Sequence, residues 1–311
     1  KYFPIYGGLL SREIGQVKAV DDVTFDINEG EILGLVGESG CGKTTVGRMT
    51  LRLLEPTSGK IFFEETNLLS LKNNMLATIR PKIQIIFQDP YSSLNPRFTV
   101  ERVIGEALSV HGLAQGNELR EKIETLMEKV GLSKIYLKRF PHEFSGGQRQ
   151  RIGIARALAL NPKYIVCDEP VSALDVSIQA QIINLLQSLQ KEDNLSLLFI
   201  SHDLNVVKHL SQRTAVMYLG KIVEMAPTEL LNRKAAHPYT QALLASKPSL
   251  DPTNRKPFQP LQGDVPSPIS PPSGCHFHPR CPKAEDRCKT EIPRQIELEE
   301  GHMVNCHLYN E

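Results

Sequence analysis

The segment Gly37–Thr44, GESGCGKT, fits the spacing G-x-x-x-x-G-K-[ST], and each residue type there serves a polyphosphate. Gly37, Gly40 and Gly42 let the backbone curl until successive N–H groups face one anion. A helix opening at Thr44 would add the partial positive charge of its N-terminus. Lys43 then reaches the β- and γ-phosphates, and the Thr44 hydroxyl ligates Mg²⁺. The candidate nucleotide-binding set is Gly37, Glu38, Ser39, Gly40, Cys41, Gly42, Lys43, Thr44 and Thr45. Such a loop needs an acidic metal partner at the end of another buried strand. Tyr164–Glu169, YIVCDE, supplies one: Asp168 to hold Mg²⁺ through its water shell, and Glu169 to polarise the attacking water as general base. Adjacent strand residues point to opposite faces, so the two carboxylates are free to take different work. Ser145, Gly146, Gly147 and Gln148 open an apolar-periodic helix. A hydroxyl with free N–H groups at a helix start makes a second anion site.

The elements that must position these groups read as an α/β domain with a largely parallel sheet. Strand-like runs are Ile32–Val36, Ile83–Phe87, Tyr164–Cys167, Leu197–Ile200 and Thr214–Tyr218. Helix-like segments are Thr44–Leu54, Leu119–Val130, Gln148–Ala159 and Ile178–Gln190. The phosphate loop follows the first strand and precedes the first helix, the context its motif requires. Residues 89–160 read as a mainly helical lobe. The expected division is a nucleotide-binding domain over residues 1–228 and an extension over 229–311. The extension contains a short helix, Tyr239–Ser246, and a connector, Lys247–Ser273. Pro257, Pro260, Pro266, Pro268, Pro271 and Pro272 keep that connector out of helix interiors and central strands.

Phe144-Ser-Gly-Gly-Gln148 resembles the LSGGQ signature of the ABC ATPase family, with Phe in place of Leu. The resemblance implies a phosphate-loop cassette with a mainly parallel sheet, an antiparallel β part, a helical lobe and, here, a small cysteine-rich C-terminal extension. It implies that Ser145–Gln148 contact the γ-phosphate of an ATP held by a partner subunit. Gln88, after its strand, resembles the glutamine that contacts Mg²⁺ and the attacking water. His202 resembles the switch histidine on the γ-phosphate, so Glu169, His202 and Gln88 form the expected catalytic group. Ser172–Asp175 resembles the loop that communicates across the dimer, with Asp175 in the nucleotide-site set. Phe3, in preference to Tyr2 or Tyr6, resembles the aromatic that stacks on adenine. Mg²⁺ would fall to Thr44, Gln88 and Asp168.

Three further stretches resemble ATPases of oligopeptide/dipeptide importers, closest to the second, F-type, subunit: Gln88–Arg97, His237–Leu244 and Pro271–Cys281. That resemblance implies a heterodimer with a sister ATPase beneath two membrane permeases, fed by an extracytoplasmic binding protein. The alternatives are nickel or oligosaccharide as cargo, or a soluble ABC ATPase outside transport. Cys275, Cys281, Cys288 and Cys306 crowd together near the end, a grouping that in a reducing compartment suggests metal rather than disulfides. The resemblance implies a 4Fe–4S cluster on all four; zinc, with four histidines close by, is the alternative, and free thiols the remainder.

Composition narrows the rest. Thirty-six basic against 35 acidic residues leave a net charge of +1, without the basic excess of a nucleic-acid binder. No apolar run approaches the ~18 residues of a membrane-spanning helix. Lys1–Gly8 lacks the apolar core of a secretory signal. The expected place is the cytoplasmic face of the membrane, as a peripheral subunit.

Overall fold

The computed structural model describes residues 1–7, 11–245 and 263–310. Chain contacts divide it into two compact units.

One unit comprises Lys1–Asp26, Leu33–Lys60 and Ser201–Glu311. Its sheet starts at Ile32–Val36, five residues buried in succession, as expected of a strand covered on both faces. That strand pairs in parallel with Arg213–Tyr218. The chain reverses at Leu219 and Gly220, both with positive φ, and Lys221–Pro227 returns antiparallel. His302–Asn305 then pairs antiparallel with Lys221–Pro227, and Gln295–Glu299 with His302–Asn305. The C-terminal hairpin therefore extends the sheet that carries the phosphate loop. A separate hairpin, Tyr2–Gly7 with Arg12–Lys18, supplies antiparallel β structure. The unit also holds helices Lys43–Thr50, Leu204–Leu210, Thr228–Lys234, Pro238–Ala245 and the short Arg287–Thr290.

The other unit comprises Ile27–Ile32 and Ile61–Ile200. Strands Ile83–Ile86, Tyr164–Asp168 and Ser196–Ser201 pair in parallel in that order. Its longer helices are Val100–Val110, Gly116–Lys129, Gly146–Leu158 and Val176–Asp193. Val100, Val103, Ile104 and Leu108 form the buried face of the first, the i, i+3, i+4, i+8 stripe of an amphipathic helix. Asp175 caps the last by accepting from the Ile178 N–H, and Asn194 ends it in the left-handed conformation.

The expected helix Thr44–Leu54 stops at Thr50, because Arg52 turns left-handed at φ 48 and Pro56 follows. The short helix of the extension begins at Pro238 and runs to Ala245. Ser246 and the connector through residue 262 lie outside the described residues.

Candidate functional site

The phosphate loop depends on its glycines for space as well as curvature. Gly42 sits at φ 108, and a Cβ there would stand 2.1 Å from the Ala19 carbonyl oxygen. No other residue type fits. Lys43, at the first turn of its helix, is 4% exposed. Its Nζ donates to the Gly37 carbonyl at 2.8 Å and to that of Glu38 at 3.0 Å. The ammonium thus lies against the loop it serves. The Cys41 thiol is buried beside it, 3.9 Å from Nζ, and burial raises its pKa. Gly37, Ser39, Gly40, Thr44 and Thr45 complete the run in the same unit. His202 is in that unit too, exposed between the strand Ser196–Ser201 and a helix that Asp203 caps.

Phe3 is half-buried, opposite Val17, with the Lys1 ammonium 5.1 Å from its ring centre. Tyr2 is committed elsewhere: its hydroxyl donates to Asp21, and that hydrogen bond pushes its pKa up to about 12. Tyr6 is exposed.

The carboxylate pair lies in the other unit. Asp168 ends a fully buried strand and is itself 3% exposed. Glu169 follows at φ 45, a left-handed conformation that costs a non-glycine residue about 1–2 kcal/mol. Backbone bonds hold it there: its N–H donates to the Ile200 carbonyl at 3.1 Å, and its carbonyl accepts from the Ser172 N–H at 3.2 Å. Strain of this kind collects at functional positions. It turns the side chain to where Gln88 Nε2 donates to Glu169 Oε2 at 3.3 Å. Gln88 and Glu169, 81 residues apart, are thereby brought together.

Ser145 caps the helix Gly146–Leu158 in a capping box. Its hydroxyl accepts from the Gln148 N–H, and the Gln148 side chain accepts from the Ser145 N–H at 3.1 Å. Gly146 and Gly147 pack against Leu174 and Ile178, so the signature turn and the Ser172–Asp175 loop form one packed corner. The Asp175 carboxylate serves as helix cap, and its hydrogen bonds from Ser177 and the Ile178 N–H lower its pKa.

Spacing missed the arginines of the signature helix. Arg149 Nε donates to the Pro141 carbonyl at 2.7 Å, and its guanidinium lies 4.3 Å from the Tyr91 ring centre. Arg156 donates to the Ser93 carbonyl at 2.6 Å. Both tie the segment after Gln88 to the signature helix. The apolar periodicity of that helix marked its buried face but gave its arginines no partner.

In the extension, Phe277 joins Tyr218 and Tyr239, with ring centres 5.2 and 5.4 Å away. His302 Nε2 lies 2.7 Å from the buried Glu224 carboxylate, which also accepts the N–H groups of Ala236 and His237. All four terminal cysteines are free. Burial pushes Cys275 and Cys306 each up to about 11, with neighbouring cysteine thiols adding to the rise. Among the described residues, however, no three His, Cys, Asp or Glu side chains gather as metal ligands. The expected 4Fe–4S site on Cys275, Cys281, Cys288 and Cys306, and its zinc alternative, find no support in this placement. Crowding along the sequence brought the thiols into electrostatic range without converging them on one point.

Paired carboxylates, a phosphate-cradling loop and a capped Ser-Gly-Gly turn, borne on mixed α/β units, are the parts of an ABC ATPase. Residues 20–172 match the family described as ABC transporter. Residues 223–288 match that described as oligopeptide/dipeptide transporter, C-terminal region. The chain is 53% identical to the oligopeptide transport ATP-binding protein AppF of Bacillus subtilis (strain 168), covering all of this chain and 95% of that one. It is 51% identical to a probable peptide ABC transporter ATP-binding protein, y4tS, of Sinorhizobium fredii, covering 99% of this chain and 87% of that one. Among solved structures, a dimeric bacterial ABC transporter cassette, MJ0796, superposes with TM-score 0.65 at 29% identity, over 73% of this chain and 96% of that one. The chain belongs to the ATP-binding proteins of the oligopeptide/dipeptide ABC transporter family. Its cassette fold is that family's mixed α/β ATPase, and no helix among the described residues is long and apolar enough to cross a membrane.

Proposed function

We propose that this chain binds and hydrolyses ATP to power an importer of oligopeptides or dipeptides. The observation that carries the cargo class is the match of residues 223–288, nearly all beyond the nucleotide-binding domain, to the oligopeptide/dipeptide C-terminal region. In this reading it works at the cytoplasmic membrane face with a sister ATPase and two permeases, and an extracytoplasmic binding protein delivers the cargo. Nickel or oligosaccharide remains the alternative cargo.

In the proposed chemistry, loop N–H groups of residues 37–45 and the Lys43 ammonium hold the phosphates, and Phe3 stacks on adenine. Thr44, Gln88 and Asp168 offer the hard oxygen donors that suit Mg²⁺. Bound there, Mg²⁺ would neutralise charge on the phosphates. Glu169 takes the proton of the attacking water, and Gln88, hydrogen-bonded to that carboxylate, orients it. His202 contacts the γ-phosphate. Ser145–Gln148 and Asp175 serve the ATP of the partner subunit. The domain division at residue 228, with a helical lobe over residues 89–160, belongs to the same reading. So does a 4Fe–4S cluster on the four terminal cysteines; what motivates it is the grouping of Cys275, Cys281, Cys288 and Cys306 along the chain. Iron with matching sulfide in anaerobically purified chain would uphold that cluster, and stoichiometric zinc or bare thiols would replace it.

The decisive experiment reconstitutes the chain with its neighbouring permeases and sister ATPase in vesicles. Peptide-loaded binding protein should raise ATP turnover and drive peptide inward. Stimulation by nickel or an oligosaccharide, with none by peptides, would overturn the cargo assignment.

A further inference from the structure

The extension reaches back to the phosphate loop at Glu38. Glu38 is held at three points. Its N–H donates to the Tyr239 hydroxyl at 2.9 Å. Its carbonyl accepts from Lys43 Nζ at 3.0 Å. Its carboxylate takes a bidentate pair from Arg280, Nη1 to Oε2 at 2.7 Å and Nη2 to Oε1 at 3.1 Å. The Arg280 side chain is 6% exposed and that of Glu38 26%. Arg280 is braced in turn. Its guanidinium lies 5.9 Å from the Tyr218 ring centre, and Tyr218 packs edge-on against Phe277, three residues before it. All of these residues belong to the same compact unit.

Phosphate binding gives no reason for a carboxylate at position 38. A negative charge on a residue of the loop opposes a polyanionic ligand, the more so where water is partly excluded. A rigid two-pronged cation cancels that charge and fixes the loop's first turn together.

We infer that Arg280 is a positioning residue for the phosphate loop, neutralising and holding Glu38 so that the cysteine-bearing extension sets the loop's affinity for ATP. This rests on reading residues 37–45 as the ATP site. The extension is then a working part of nucleotide binding as well as a family-specific appendage. Tyr239, which receives the Glu38 N–H, is the second brace.

The test is ATP binding to the full chain, measured by titration calorimetry with Mg²⁺. Arg280→Ala should weaken binding about tenfold, the effect of one uncompensated charge near the ligand. Arg280→Lys, which keeps the charge and loses the fork, should fall between that variant and the parent chain. Adding Glu38→Gln to Arg280→Ala should restore affinity to within about threefold of the parent, because the orphaned charge is gone. Binding by Arg280→Ala equal to the parent would overturn the inference. So would a double variant as weak as Arg280→Ala alone, since a merely structural arginine is not replaced by removing its partner's charge. If Arg280→Ala does not fold, the reversed pair Glu38→Arg with Arg280→Glu should bind ATP more tightly than Arg280→Glu alone, and no gain would overturn it. Lys43→Ala separates the two readings. If that variant binds ATP like the parent, the nucleotide site itself is misassigned, whatever Arg280 does.

Discussion

Replacing Gly147 with alanine tests whether the signature turn and the Ser172–Asp175 corner are one packed unit. A Cβ at Gly147 would stand 2.5 Å from Ile178 Cγ2 and 3.7 Å from Ile178 Cβ. Carbon atoms rest about 3.5–4.0 Å apart, so Ile178 must retreat by about 1 Å. Two effects oppose each other. Alanine is favoured over glycine inside a helix by about 1 kcal/mol, whereas overpacking costs about 1–3 kcal/mol. Gly147→Ala alone should therefore range from neutral to about 2 kcal/mol destabilising. Ile178→Ala removes the obstructing methyl. In that background the same Gly147→Ala should stabilise by about 1 kcal/mol, the bare helix preference. Urea denaturation of the four proteins, followed by far-UV circular dichroism, should give a coupling of about 1–3 kcal/mol between the sites. Additivity within about 0.5 kcal/mol would refute the packing argument. Activity separates the roles: if the turn also contacts ATP, the double variant should recover stability without recovering turnover.

His237 predicts a pH dependence. Burial lowers its pKa to about 3, against about 6.5 unfolded. The unfolded chain therefore binds the extra proton, and stability contributed by this residue falls as pH drops from about 6.5 towards 3, by about 1.4 kcal/mol per unit at the steepest. Urea midpoints measured between pH 7 and 5 should show that slope, and His237→Asn should remove it from the total. His302→Ala would remove one of three hydrogen-bonding partners of the buried Glu224 carboxylate, at a cost of about 1–3 kcal/mol. Amide exchange at Met303–Asn305 should quicken before exchange in Ile32–Val36, and unchanged exchange at the hairpin would count against the pair as its anchor.

Strands with continuous apolar runs were readable from sequence to within a residue: Ile32–Val36 is found as expected, and Tyr164–Cys167 gains only Asp168. Burial on both faces writes itself into every position of such a strand. The candidate phosphate loop and carboxylate pair stand out in sequence because such chemistry restricts residue type at fixed spacing. What sequence left dark depends on long-range contact. The C-terminal hairpin joins the sheet through Val304, fully buried opposite Glu224, yet its strand Gln295–Glu299 is mostly exposed and polar. Such a short edge strand carries no strong apolar signal. Arg280 meets Glu38 across 242 residues, and neither residue belongs to a motif that demands the other. The left-handed backbone of Glu169 is likewise fixed by tertiary hydrogen bonds that the string YIVCDE does not encode. The four cysteines lie near one another along the chain, yet among the described residues no three His, Cys, Asp or Glu side chains gather as metal ligands.

In the proposed function Glu169 is the general base of ATP hydrolysis. The most direct measurement compares ATP binding and single-turnover hydrolysis by the parent chain and Glu169→Gln, in the assembled transporter. That substitution keeps the side chain's size while removing the base. ATP binding should be undiminished and hydrolysis slowed about 10²–10⁴-fold, the usual contribution of a general base. Hydrolysis by Glu169→Gln at near the parent rate would contradict that role.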